Sequence, residues 1–242
     1  MRVRNLEIHT VKKDIKNIHL GVYPPNGRVR VAAPIKTTDE TIKVLVISKM
    51  PWIKKQQAKF DRQERQTKRE YVSGESHFFM GNRYLLNVVH TNSAPRIEIK
   101  RKTHIDMYIN PEATLRKREK LMDDFYRSEL KKRIPTLIGK WEKKTRVRVK
   151  EFKIRKMKTK WGTCNPKYQR VWFNLELAKK PPRCIEYVLV HEMTHLIEKN
   201  HTEVFRFLMQ SFMRQWHNYR EELNDSVLGY SNWDYSREKT DV

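Results

Sequence analysis

The sequence predicts an α+β fold, with a β-rich amino-terminal region ahead of a helix-rich second half. Three observations carry this. Between residues 15 and 109, short runs of alternating apolar residues are separated by turn signals, the period of half-buried strands. Beyond Pro111, apolar residues recur at spacings of three and four, the period of a helix with one buried face. Between those helical stretches strand character returns, through the alternating residues near Val147 and again at Val171 to Leu175. The expected organisation is a β-rich region over 1–110 with two helices near 39–69, a second domain over 111–225, and a polar tail over 226–242.

The elements follow in order. Ile15 to Tyr23 alternates imperfectly, Pro24-Pro25-Asn26-Gly27 signals a turn, and Arg28-Val29-Arg30-Val31 alternates cleanly, which reads as a hairpin. Thr37-Thr38-Asp39-Glu40 is a T-x-x-E capping box for a helix through about Ser48. Pro51 starts a second helix with Trp52 and Ile53 at its head and a charged continuation from Lys54 to Glu70. Gly81-Asn82 marks a turn, Tyr84 to Val89 a strand, and Ile97, Ile99, Ile105 and Tyr108 two more. Asn110-Pro111-Glu112 reads as a helix start, with Asn as the cap and Pro at the first helical position. That helix runs towards Arg133, with a boundary or kink at Pro135, and Ile138 and Trp141 continue its stripe. From Lys140 to Lys160 cations alternate with Val147 and Val149, then Phe152 and Ile154, then Met157 and Trp161, so strands with one wet, basic face are expected. Two parity changes there predict bends or bulges. A turn follows at Asn165-Pro166-Lys167. Pro181-Pro182 head a helix whose buried face is Ile185, Val188, Leu189, Met193 and Leu196. A last helix from near Thr202 carries Phe205, Leu208, Phe212, Trp216 and Tyr219 on one face, spaced for core packing.

The helix after Pro181-Pro182 carries the chemistry. Residues 191 to 201 read His-Glu-Met-Thr-His-Leu-Ile-Glu-Lys-Asn-His. Residues four apart share a helix face, so His191 and His195 can grip one metal ion. Glu192 stands beside them, where a carboxylate can hold a metal-bound water and take its proton. Asn200 is a residue type that tolerates the left-handed conformation used to leave a helix. His201 then follows as a third ligand, and the fourth position is left for water, as in catalytic zinc sites. Three imidazoles also suit nickel, cobalt or copper. The spacing of the histidines equals that of metzincins, but those proteases carry glycine where this chain has Glu198, and no Met-turn is recognisable. A carboxylate or carbonyl is expected to orient each ring. Glu198, Glu203 and Glu186 lie near enough in sequence, although surface charge accounts for each. Tyr187, Trp161 and Asn174 are candidates for a donor to a developing oxyanion.

Composition sets the frame. The 242 residues hold 52 Lys and Arg against 28 Asp and Glu, a net charge of +24. That excess favours polyanions, nucleic acid or proteins carried on it, or else it is a solvated surface. Two cysteines, Cys164 and Cys184, are too few for a secreted disulfide framework. Met1 to Thr10 is mixed and polar, and no stretch is apolar enough to span a membrane. The expectation is a cytoplasmic protein with reduced thiols and no membrane partner. Cys164 as a regulatory metal ligand is a weaker reading.

The chain resembles the YgjP-like metal-dependent hydrolases, relatives of the SprT and WLM zinc metallopeptidases. The resemblance is carried by Lys158-Thr159-Lys160-Trp161-Gly162-Thr163-Cys164, Asn174-Leu175-Glu176-Leu177, Pro181-Pro182, Tyr187 to Glu192, and Asn200-His201 followed by Phe205. Gly27 to Val31, Trp52-Ile53 and Gly81 to Tyr84 fit as well, so most of residues 10 to 220 is covered. Thr163 stands where Ser is common, and Met193-Thr194 fill the motif's variable positions. The resemblance implies a zincin-like catalytic domain, with the metal helix under a small sheet, and one Zn2+ per chain on His191, His195 and His201. It implies Glu192 as general base in hydrolysis of a polypeptide substrate. It also implies an edge strand above the metal helix that pairs with extended substrate. Lys158 to Cys164 is the candidate, with Lys160, Trp161, Gly162 and Thr163 as substrate contacts. Two other readings stay open: a basic nucleic-acid-binding module with a structural or vestigial metal site, and a zinc hydrolase of small amides. Action on nucleic-acid-associated proteins would join charge and peptidase in one function.

Overall fold

In the computed structural model, the described residues are 1–23, 27–62, 69–157 and 160–225. The expected turn at Pro24-Pro25-Asn26, residues 63–68 of the charged continuation, Lys158 and Thr159 of the edge segment, and the tail over 226–242 lie outside them. The chain divides into two compact units, one within Met1–Gln66 and the other within Thr67–Tyr230. The strands of residues 76–109 therefore belong with the second unit and not with the amino-terminal region. The reason is packing: their inward residues Leu86, Ile105 and Met107 share one core with Met122, Tyr126 and Leu130 of the following helix.

The first unit holds β1 (Arg2–Val3), β2 (Leu6–Lys13), β3 (His19–Tyr23) and β4 (Arg28–Pro34) in the sheet order β1-β2-β4-β3. The expected hairpin is β3 with β4, antiparallel, with Val22 opposite Val29. β2 runs parallel to β4 on its other side. Val29, Val31 and Ala33 bury against Ile42 and Val46 of α1 (Asp39–Ser48) and Ile53 of α2 (Met50–Arg62). The cap of α1 is one residue later than the box predicts. Thr38, not Thr37, accepts a hydrogen bond from the Thr41 N–H at 3.2 Å. Asp39 and Glu40 then fall in the first turn, where the helix dipole favours acids.

The second unit begins with β5 (Ser76–Phe79), β6 (Asn82–His90), β7 (Arg96–Lys100) and β8 (His104–Ile109), in the order β5-β6-β8-β7. The long helix α3 (Leu115–Thr145) follows. Its start differs from expectation. Asn110 accepts from the Glu112 N–H at 2.9 Å in a local turn, and Thr114 caps the helix through the Lys117 N–H. Nor does Pro135 end it. Buried Leu130 and Ile134 before the proline, and Ile138 and Trp141 after it, lie in one core, and that burial outweighs one missing backbone hydrogen bond.

α3 therefore absorbs the start of the expected basic strands. Arg146 closes it in left-handed backbone, and Val147 and Val149 are half-buried in a non-strand segment. Only β9 (Glu151–Arg155) remains as strand in that run. With β10 (Gly162–Asn165) and β11 (Arg170–Asn174) it forms a sheet in the order β10-β11-β9, which leaves β10 at one edge. A tight turn over Pro166–Tyr168 joins β10 to β11 antiparallel. Then come α4 (Pro182–Thr194), α5 (Glu203–Phe212) and α6 (Trp216–Asp225). The single last helix expected from Thr202 is thus two. Met213 leaves helical backbone and is buried, and Phe205 and Trp216 still bury on either side of the break. No described helix is long and apolar enough to cross a membrane.

Asn174 ties β11 to the segment before β10. Its buried amide donates to the carbonyls of Met157 and Lys160, both at 2.8 Å, and its Oδ1 accepts from the N–H groups of Met157 and Glu176. Asn174→Ala would strand these groups. It is expected to cost about 3 kcal/mol in urea unfolding with an unchanged m-value.

Candidate active site

α4 is buried on almost every side, through Cys184, Ile185, Val188, Leu189, Val190 and Met193 among others. Its turn at 191–195 is consequently held as firmly as any part of the core. Thr194 donates to the Val190 carbonyl at 2.8 Å, so this motif residue serves the helix.

The spacing read from the sequence becomes a cluster. His191 Nε2 lies 3.2 Å from His195 Nε2 and 3.1 Å from His201 Nε2. One ring nitrogen from each of the three falls within 4.8 Å of the others. Ligand nitrogens about 2.05 Å from a tetrahedral zinc stand roughly 3.3 Å apart, so this donor set fits such an ion. Phe205, fully buried on α5, packs its ring centroid 4.6 to 5.1 Å from all three imidazoles. The sequence reading gave Phe205 only a core role. Its contact with all three rings depends on where α5 docks, which spacing does not report.

The chain turns from His195 to His201 without a left-handed residue at Asn200. Glu198 builds the turn instead. Its carboxylate accepts from the Asn200 N–H at 3.1 Å, and its carbonyl lies 3.1 Å from His195 Nδ1. That carbonyl can only accept, so Nδ1 of His195 carries the proton and Nε2 keeps its lone pair. The orienting group for His195 is thus a backbone carbonyl. His191 Nδ1 is buried with no protein partner among the described residues. Of the other nearby acids, Glu203 is an exposed partner of Arg206. Glu186 is half-buried and engaged: it accepts from Trp141 Nε1 at 2.7 Å and Lys140 Nζ at 2.6 Å.

Burial sets the electrostatics. It pushes His191 down to about 3, with further push from His195 and His201, and it lowers His195 as well. Neutral rings are what a cation requires. Burial pushes Glu192 up to about 8, against the opposing pull of Lys160. Glu192 is 5% exposed and has no ion-pair partner among the described residues. A cleft of about 550 Å³ opens over these groups, and Lys160, Trp161, Gly162 and Thr163 all line it.

β10 lies directly over Glu192. A Cβ on Gly162 would stand 2.7 Å from both Cγ and Oε1 of Glu192. The Asn174 N–H donates to the Trp161 carbonyl at 2.9 Å, so 161 and 174 form a hydrogen-bonded pair. Pairs of this kind alternate in an antiparallel ladder. The backbone N–H and C=O groups of Gly162 and Cys164 therefore point away from β11, to the open edge.

Tyr187 lines the cleft one turn before His191, with ring centroids 5.9 Å apart, and burial pushes its phenol up to about 12. Asn174 is occupied in holding Lys160 and does not line the cleft. Cys164 does, but burial pushes its thiol up to about 12, and it stands outside the histidine cluster. The sequence reading missed Lys199 and Arg220 on the cleft wall. Arg220 had no visible signal, because α6 was read as a continuation of α5.

No curated protein and no solved structure matches the chain. Against known families, residues 16–226 match the YgjP-like, metallopeptidase domain. The chain belongs to the YgjP-like metallopeptidase family.

Proposed function

We propose that this chain is a zinc-dependent peptidase whose metal is held by His191, His195 and His201 and whose general base is Glu192. The observation that carries the reading is the convergence of three imidazoles beside a buried carboxylate under an open strand edge. A zinc ion there would supply a water of lowered pKa and polarise the scissile carbonyl. The rest falls to the chain. Extended substrate adds to the edge of β10 through the backbone groups of Gly162 and Cys164, with Lys160, Trp161 and Thr163 beside it. Glu192, made more basic by burial, takes the proton of the attacking water and passes it to the leaving amine. The Tyr187 hydroxyl keeps its proton well above neutral pH, which supports it as donor to the oxyanion.

A structural or vestigial site would have no use for Glu192, since an uncompensated buried carboxylate costs stability. That cost argues against the binding-module reading. The charge of +24 supports substrates carried on nucleic acid, and binding to generic duplex or single strands that weakens with salt would bear this out. The direct test is a mixed peptide library scored for new amino termini. Cleavage that stops with a chelator and returns with zinc supports the reading. A zinc-loaded protein that cleaves no peptide, folded or denatured, contradicts it.

A further inference from the structure

The cleft has one sign of charge on its walls. Lys160 stands at the entry to β10, Lys199 in the turn between His195 and His201, and Arg220 on α6. All three are exposed, and none forms an ion pair with a described carboxylate. Several cations elsewhere in the second unit do meet acids, although 52 Lys and Arg against 28 Asp and Glu leave many without one. Lys156 holds Glu119 and Asp123, Lys140 holds Glu186, and Lys179 holds Glu176. Three acids of the flanking segments have partners of their own. Glu222 holds Arg183, Glu203 holds Arg206, and the Glu198 carboxylate holds the Asn200 N–H. Among the described residues, the one acid on the cleft wall is Glu192, buried beneath β10. The three cations come from three separate segments: the entry to β10, the turn after α4, and α6.

We infer that the cleft selects acidic polypeptide, with aspartate or glutamate side chains close to the scissile bond. This rests on the peptidase reading above. The backbone of such a substrate would pair with β10 while its carboxylates meet Lys160, Lys199 and Arg220. A basic segment would face three like charges, which penalises the wrong partner as much as the right one is favoured. Exposed pairs of this kind are individually weak, so the discrimination comes from several acting together and fades with salt.

The test uses the full zinc-loaded chain and three matched sets of quenched fluorescent peptides with Asp/Glu, Asn/Gln or Lys flanks. The expected kcat/KM ratio of acidic to neutral peptides is about ten-fold at low salt, falling to roughly two-fold near 1 M. Lys199→Glu and Arg220→Glu should each cut that ratio about three-fold or more. The ratio is taken within one preparation, so partial misfolding does not alter it. Cleavage of all three sets at equal efficiency, or variants that keep the wild-type ratio, overturns the inference and leaves the peptidase reading standing. Absence of cleavage in every set, and of denatured protein, overturns the reading and the inference with it.

Discussion

Glu192→Gln is expected to lower kcat/KM for peptide hydrolysis by about a thousand-fold while metal stays bound. The two halves have separate origins. Glu192 is not one of the three converging ring nitrogens, and its amide analogue has nearly the same shape, so the imidazole cluster is undisturbed. What is lost is a proton acceptor under the strand edge. Stability should not suffer. Burial raises the folded pKa of Glu192 above its ordinary 4.5, to about 8, so ionising it opposes folding as the pH climbs through that window. The amide removes that opposition, and the chelator-stripped variant should melt at or above the wild-type temperature near neutral pH. Measured metal content, melting temperature and kcat/KM on one preparation would check all three statements. Retained hydrolysis with metal bound would remove Glu192 from its assigned role.

Gly162→Ala is expected to cost about a hundred-fold in kcat with only a modest loss of stability. Gly162 lies in ordinary strand backbone, so glycine is not required there for its conformational freedom. It is required for room. The added methyl would stand 2.7 Å from the Glu192 carboxyl and 2.9 Å from Cδ, closer than such contacts allow. The carboxyl end is the part that can yield, and when it yields the base leaves its position. Loss of kcat with little change in KM, and with metal content unchanged, is the expected pattern. A variant with wild-type kcat would mean that β10 does not fix where Glu192 sits.

The clustering of the histidines beside Glu192 was legible in the sequence because a helix converts spacing of four into proximity, and His195, the cap of α4, still keeps helical backbone. Gly162 above Glu192 was reachable only through the family resemblance, since its meaning lies in a contact between residues thirty apart. Arg220 was not legible. Its place depends on the chain breaking at Met213, where no proline or glycine announces it. Strands followed the same logic. β6 and β8 alternate visibly, but β2 fully buries only Ile8 and pairs in parallel with β4, so neither pattern nor a local turn marks it. Pro135 misled in the other direction: local preference for a break lost to the core residues on both sides of it.

The most direct test of the central claim is the metal content of purified wild type and His201→Ala, by elemental mass spectrometry after dialysis. The account predicts about one zinc per wild-type chain and little or none in the variant, since two imidazoles cannot hold the ion as three do. Wild type that takes up no metal even when zinc is supplied, or a variant that holds as much as wild type, would contradict it.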